Sequence, residues 1–175
     1  MENQNDLKVS KLYFSVVLLL MLIFPVISIV IDSGNQHIIL IALIGKWFVF
    51  WAIGLRLFTA GLRQAIKPAF TAKDIFHIDS VESHLIVREL GFANICIGLA
   101  GIFSIFIPAW RTAAAFTGGL YLGIAGFMHV IKKPATPNEW VAMISDLCIF
   151  IVLAIYVAIS FSGNAAFDIS FQLSQ

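Results

Sequence analysis

Five long apolar segments constrain this sequence more than any other feature. Each is close to the roughly 20 residues that an α-helix needs to cross a hydrocarbon layer about 30 Å thick. They cover residues 13–31, 38–62, 86–107, 112–130 and 139–160. Of the 175 residues, 60% are hydrophobic and 12% are charged, whereas soluble domains carry about 25% charged residues. We therefore predict an all-α bundle of about five transmembrane helices, folded as one membrane domain over residues 1–175.

The distribution of lysine and arginine outside these segments predicts the direction of the helices, because positive residues stay on the cytoplasmic side. One side would carry almost all of them: Lys8, Lys11, Arg63, Lys67, Lys73, Lys132 and Lys133, with Arg88 at its border. The opposite side would carry Arg111 alone. This predicts a cytoplasmic N-terminus, an external C-terminus and one sizeable cytoplasmic loop at about 63–80.

Local signals for helix ends agree with this division. The run Thr136-Pro137-Asn138-Glu139 offers a capping hydroxyl, a first-turn proline and a glutamate three residues after the cap, so we expect the fifth helix to begin there. Asp79-Ser80-Val81-Glu82 is a similar start for the third helix. Pro25 is expected to kink the first helix. Pro68 and a short helix after Thr71 are expected in the loop.

Two helices carry small residues at helical spacing, which is the usual packing signal in lipid. They are Gly91, Asn94, Gly98 and Gly101 in the third segment, and Ala115, Gly119, Gly123 and Gly126 in the fourth. We expect these two faces to meet, either within one chain or between copies in a homo-oligomer. The alternative is that the glycines leave room for a flat ligand.

Ionisable residues at membrane depth are functional candidates, because each costs at least about 2.5 kcal/mol at the centre of an isolated helix. Four of them lie at a similar depth in the cytoplasmic half and form a predicted polar layer: Arg56, Glu89, His129 and Asp146. The secondary candidates are Lys46, Arg63, Arg88 and Asn94. At 100° per residue, Lys46, Arg56 and Arg63 share one cationic face of the second helix. Lys46 alone lies in the outer half.

These groups could pair, hold a polar headgroup or relay protons. The simpler interpretation is that Arg56 pairs with Asp146 or Glu89 only to fix helix assembly. Snorkelling to the interface explains Glu89, Arg88 and His129 almost as well. Asp146 is too short to snorkel that far, so we expect it to face the bundle interior or water.

Several kinds of function receive no support from the sequence. It contains no nucleophile elbow, phosphate loop, His-Glu-x-x-His motif or CxxC pair, and no metal motif. The formal net charge of +1 argues against a nucleic-acid partner. Cys96 and Cys148 each lie in an apolar run and are expected to be small buried hydrophobes. We therefore favour a protein that is not an enzyme.

Three stretches resemble a family of small uncharacterised bacterial membrane proteins: GKWFVFWAIGLRLFTAGLRQAIKPAFTAKDIF, ESHLIVRELGFANICIGLAGIF and GGLYLGIAGFMHVIKK. This resemblance implies a multi-pass protein of the bacterial inner membrane. The run REL-GFAN and the glycine-rich fourth segment also resemble DoxX-like four-helix proteins, some of which are linked to quinone or thiol redox systems. The residues themselves indicate no cofactor; that likeness points to quinone, although the segment count and the cysteines depart from the pattern.

Three functional hypotheses remain open at this point. The first is a small transporter, channel or membrane-complex subunit whose polar layer lines a cytoplasm-facing cavity for an anionic solute or headgroup. The second is a quinone-binding redox component in which His129, Glu89 or Asp146 exchanges protons. The third is a purely structural or assembly protein. In all three the lipid bilayer is the common partner.

Overall fold

The computed structural model of the protein describes residues 11–34, 39–76, 78 and 80–162. Within these ranges the chain is helical, and it contains no β-strand. Five of its helices are long and apolar enough to cross a membrane, which confirms the predicted helical bundle. Lys8, Asp79 and residues 163–175, on which some of the expectations rest, lie outside the described residues.

Most helix ends lie a few residues away from their predicted positions. The helices are α1 Lys11–Asp32, α2 Leu40–Ile66, α3 Pro68–Asp74, α4 Ser83–Phe103, α5 Arg111–Lys132 and α6 Pro137–Ser160. The third long helix therefore ends four residues earlier than predicted. Pro108 disfavours a helical conformation at Ile107, and a turn followed by the single 3-10 turn Pro108–Trp110 leads into α5.

The start of α6 is the predicted capping box. The Glu139 amide donates to Thr136 Oγ1 at 3.3 Å, and the Thr136 amide donates back to Glu139 Oε2 at 3.2 Å. At the start of α4, the Ser83 amide donates to Ser80 Oγ at 3.3 Å. These bonds satisfy amides that the first helical turn leaves without backbone partners.

The glycines of α4 lie against α2, where the two backbones approach closely. A Cβ on Gly101 would stand 2.6 Å from the Gly54 amide nitrogen, and a Cβ on Gly91 would stand 2.8 Å from the Gly61 carbonyl oxygen. Gly98 faces the backbone of Phe58 in the same way. No side chain larger than hydrogen fits at these contacts without moving backbone atoms.

The small-residue face of α5 packs instead on large side chains of α6. Gly119 faces Leu153, Gly123 faces Phe150, and Gly126 faces Leu147. The expectation that the faces of the third and fourth segments meet within one chain is therefore wrong, because each is already covered by a different neighbour. The same contacts leave no space at these glycines for a flat ligand, and a homo-oligomer would have to use other surfaces.

The hydrophobic core and the outward faces of the bundle are both rich in apolar side chains. The buried core includes Ile53 and Leu57 of α2, Leu122 of α5 and Leu153 of α6. The outward faces expose many large apolar side chains, which is the surface expected of a bundle surrounded by lipid. Cys96 and Cys148 lie on this outer surface, so the expectation that they are buried is wrong.

We predict that Gly98→Val destabilises the protein by about 1–3 kcal/mol, the typical cost of overpacking. The added Cβ would stand 2.5 Å from the Phe58 amide nitrogen, and a backbone atom cannot move aside as a side-chain tip can. Thermal unfolding in detergent measures the effect. Ala93→Val, on an exposed position of the same helix, is the matched control. An equal loss in both variants would contradict the proposed α2–α4 contact.

Candidate functional site

A cavity of about 580 Å³ lies inside the bundle, at the end that carries Arg63, Lys67, Lys132 and Lys133, here named the basic end. All five long helices and the loop after α2 contribute to its walls. Its charged and polar lining side chains are Tyr13, Arg56, Thr59, Arg63, Gln64, Lys67, Thr71, Asn94, Tyr121, His129 and Asp146. The volume falls within the roughly 300–1,000 Å³ of small-molecule sites.

Arg56 is the deepest cationic group of the α2 face that lines the cavity. Its guanidinium lies over the ring of Tyr13, with Cζ 5.6 Å from the ring centroid. Its Nε is buried and has no hydrogen-bond partner among the described residues. Leaving a buried donor unsatisfied costs about 1–3 kcal/mol, so this atom is a site at which an acceptor would be stabilised.

Asp146 approaches the cavity from α6 and is the only acidic side chain among the described lining residues. Arg56 is the charged group that acts on it electrostatically. No guanidinium nitrogen of Arg56 lies within 4.0 Å of its carboxylate, and no described group donates a hydrogen bond to it. The two charges therefore face one cavity without forming an ion pair.

The wall contributed by α4 is polar but uncharged. Asn94 Nδ2 donates to Gln64 Oε1 at 2.7 Å, which joins α4 to the last turn of α2. Tyr121 of α5 lines the same region. This wall offers amide and hydroxyl groups beside the two charges.

Further cationic groups lie toward the mouth of the cavity. Arg63 stacks on Phe70 of α3, with its Cζ 3.5 Å from the ring centroid, and Lys67 ends the α2 face. Lys67 lies about 16 Å beyond Arg56 at 1.5 Å of rise per residue. His129 lines the cavity from α5, and Glu139 and Lys132 interact with it electrostatically. The cavity therefore has a cationic path from its mouth to its interior.

The remaining predicted site residues lie elsewhere. Glu89 and Arg88 are exposed and do not line the cavity, because α4 turns Leu90 and Asn94 toward it. Lys46 donates to Asp32 Oδ2 at 2.8 Å, away from the basic end of the bundle. Trp47 Nε1 donates to the same oxygen at 3.0 Å.

Lys46 does not share the cationic face because α2 is π-helical over Val49–Leu55, between Lys46 and Arg56. A π-helical turn contains more residues than an α-helical turn, so an angle of 100° per residue does not hold across it. The predicted stripe is therefore correct for Arg56, Arg63 and Lys67 and wrong for Lys46.

A model of a family of unknown function, DUF6790, matches residues 11–165. The chain belongs to this family. The match includes all five long helices and every described residue of the cavity. Neither a search of curated proteins nor a search of solved structures found a significant match.

Sequence reasoning missed three notable residues of this DUF6790 member. Gln64 and Tyr121 line the cavity, and Tyr121 could have been found from its spacing of four and eight residues to Ala125 and His129. Arg111 was assigned to an external loop, yet it is fully buried at the start of α5 and interacts electrostatically with Asp32 and Tyr156. Nothing in its sequence context signals that burial.

We predict that the cavity is filled with water from the basic end. In a background in which Cys96 and Cys148 are replaced by alanine, Ala125→Cys should react with a membrane-impermeant methanethiosulfonate, because this reaction needs a thiolate in water. Ile124→Cys, exposed on the outer face of the same helix, should not react. Adding the reagent to each side of sealed vesicles identifies the open end. Similar labelling of both positions would refute a separate aqueous cavity.

Proposed function

We propose that this protein is a non-enzymatic membrane protein that binds a small solute carrying an acidic group in this cavity. It would act as a small transporter or channel, or as the solute-binding subunit of a membrane complex. The observation that carries the proposal is the buried, unpartnered Nε of Arg56 beside a cavity of small-molecule size.

Charge complementarity supports an acidic solute. Arg56, Arg63 and Lys67 supply three positive charges, and Asp146 supplies one negative charge. The described lining therefore has an excess of two positive charges with histidine neutral. A cleft lined by one sign of charge and bounded by low-dielectric walls concentrates ions of the opposite sign. Arginine also binds carboxylate and phosphate groups through two parallel hydrogen bonds.

We infer that the basic end faces the cytoplasm of a bacterial cell, with the protein in the inner membrane. The support is the concentration of lysine and arginine at that end. A solute would then enter from the cytoplasmic side. Transport across the membrane would also require the opposite end to open, where the Lys46–Asp32 ion pair joins α2 to α1.

We predict that Arg56→Gln weakens solute binding about 10-fold to 100-fold, which corresponds to the loss of hydrogen bonds to a charged group. Small molecules extracted from the purified wild type should include one that carries a carboxylate or phosphate. Mass spectrometry should find it depleted in Arg56→Gln and retained in Arg88→Gln, which removes an exposed arginine outside the cavity.

The structural hypothesis makes a different prediction for the same variants. If Arg56 only fixes helix assembly, Arg56→Gln should lower the melting temperature and leave the extracted molecules unchanged in amount per folded protein. That outcome would reject solute binding at Arg56.

Quinone binding is the second candidate function. Tyr13, Tyr121 and His129 supply hydrogen-bonding groups to a cavity whose walls also contain Phe70 and Phe76. Such a lining would suit a ring that carries carbonyl groups and an apolar tail. If this hypothesis holds, organic extraction of the purified protein should yield quinone, and added quinone should raise the melting temperature. A clean extract with an unchanged melting temperature would reject it.

A further inference from the structure

We infer that the solute of this cavity is a zwitterion with one carboxylate and one ammonium group, of the amino-acid class. The inference rests on the proposed function, since it describes the ligand of the same cavity. Its basis is the position of Arg56 and Asp146 on two different helices, where both line one cavity and do not form an ion pair.

Neither group has an oppositely charged side chain in direct contact, although the Arg56 guanidinium also interacts with the Tyr13 side chain. Arg56 has a buried donor with no acceptor, and Asp146 has a carboxylate that accepts no hydrogen bond from the described residues. The two groups interact electrostatically without direct contact. A molecule placed between them satisfies both only if it presents an acidic group to Arg56 and a cationic donor to Asp146.

Two other ionisable groups of the cavity interact with residues away from Arg56 and Asp146. Arg63 is stacked on Phe70 toward the mouth, and His129 is electrostatically coupled to Glu139 and Lys132. The titratable groups that also face the Arg56–Asp146 region are Tyr13 of α1 and Tyr121 of α5, which are neutral hydrogen-bonding groups at pH 7. None of these groups supplies a positive charge in direct contact with Asp146.

The walls near the two charges favour an apolar side chain on this zwitterion. Leu57 follows Arg56 in α2, Ala142 lies one turn before Asp146, and Leu122 and Ala125 face them from α5. The matching probe is therefore an amino acid such as L-leucine. An amino acid with a charged side chain would bury an additional unpaired charge against these walls.

Three matched probes test the inference on the full chain in lipid nanodiscs at pH 7. They are L-leucine, 4-methylpentanoate, which lacks the ammonium group, and 3-methylbutylamine, which lacks the carboxylate. Glycine and L-phenylalanine serve as smaller and larger zwitterions. Calorimetry should show that a zwitterion binds at least about tenfold tighter than either single-charge analogue, because each lost charge pair leaves a partner unsatisfied.

Replacing each charged residue should change the relative affinities of the probes in a specific way. Asp146→Asn should weaken L-leucine about tenfold and strengthen 4-methylpentanoate, because the carboxylate that repels an anion is removed. Arg56→Gln should weaken both. Ser145→Ala is the control, since its hydroxyl donates to the Ala142 carbonyl at 3.0 Å and Ser145 does not line the cavity.

The outcomes separate the inference from the proposed function. If wild-type protein binds 4-methylpentanoate as tightly as any zwitterion and Arg56→Gln abolishes this, the inference is wrong and the acidic-solute proposal stands. If folded wild-type protein binds none of the probes at millimolar concentration, the inference is wrong, and the acidic-solute proposal is decided separately by the molecules extracted from wild type and Arg56→Gln. The wild-type comparison needs no substitution, so a variant that fails to fold does not prevent the test.

Discussion

The close approach of α2 and α4 at their glycines is the contact on which the rest of the structure depends. Gly54 and Gly61 of α2 meet Gly101 and Gly91 of α4 with no room for a side chain between them. Helices in lipid gain little from burying apolar surface, so close backbone approach provides much of their association energy. This contact fixes the rotation of α2, which in turn directs Arg56, Arg63 and Lys67 into the cavity.

The two ends of the bundle accommodate their charges differently. At the end opposite the basic end, Lys46 and Asp32 are in direct contact, and Trp47 donates to the same carboxylate. This arrangement satisfies the charges locally and ties α1 to α2. At the basic end, Arg56 and Asp146 line one cavity and interact electrostatically without forming an ion pair. A charge pair without contact contributes less to assembly than a direct pair, because Coulomb attraction falls with distance. The second arrangement is thus the better candidate for ligand binding.

Depth along the membrane normal could be predicted from sequence more reliably than direction around each helix. The rise of 1.5 Å per residue places Arg56, His129 and Asp146 at a common level without any knowledge of packing. Direction depends on local helix geometry and on which helices are neighbours. Lys46 was misassigned because the π-helical segment Val49–Leu55 changes the angle per residue. Glu89 was placed in the polar layer by its depth alone, and α4 turns Leu90 and Asn94 toward the cavity instead.

The sequence pattern also could not predict which helices pack against each other. Glycine spacing identifies a packing face but carries no information about which helix packs against it. The faces of α4 and α5 were therefore expected to pack against each other. In the structure, α4 contacts glycines of α2, whereas α5 accepts Leu147, Phe150 and Leu153 of α6. A capping box behaves differently, because all its partners lie within four residues, and the start of α6 was therefore predicted correctly.

The exposed position of Glu89, outside the cavity, affects the charge of the cavity. If Glu89 faced inward, two carboxylates would oppose the cationic face of α2 and the described lining would lose half of its positive excess. Asn94 takes that wall instead, and its amide donates to Gln64 rather than to a charge. Asp146 thereby remains the single acidic group among the described lining residues. A lone carboxylate opposite an arginine leaves the cavity positive while giving it two distinct poles, which is a binding geometry that a uniformly cationic pore would not have.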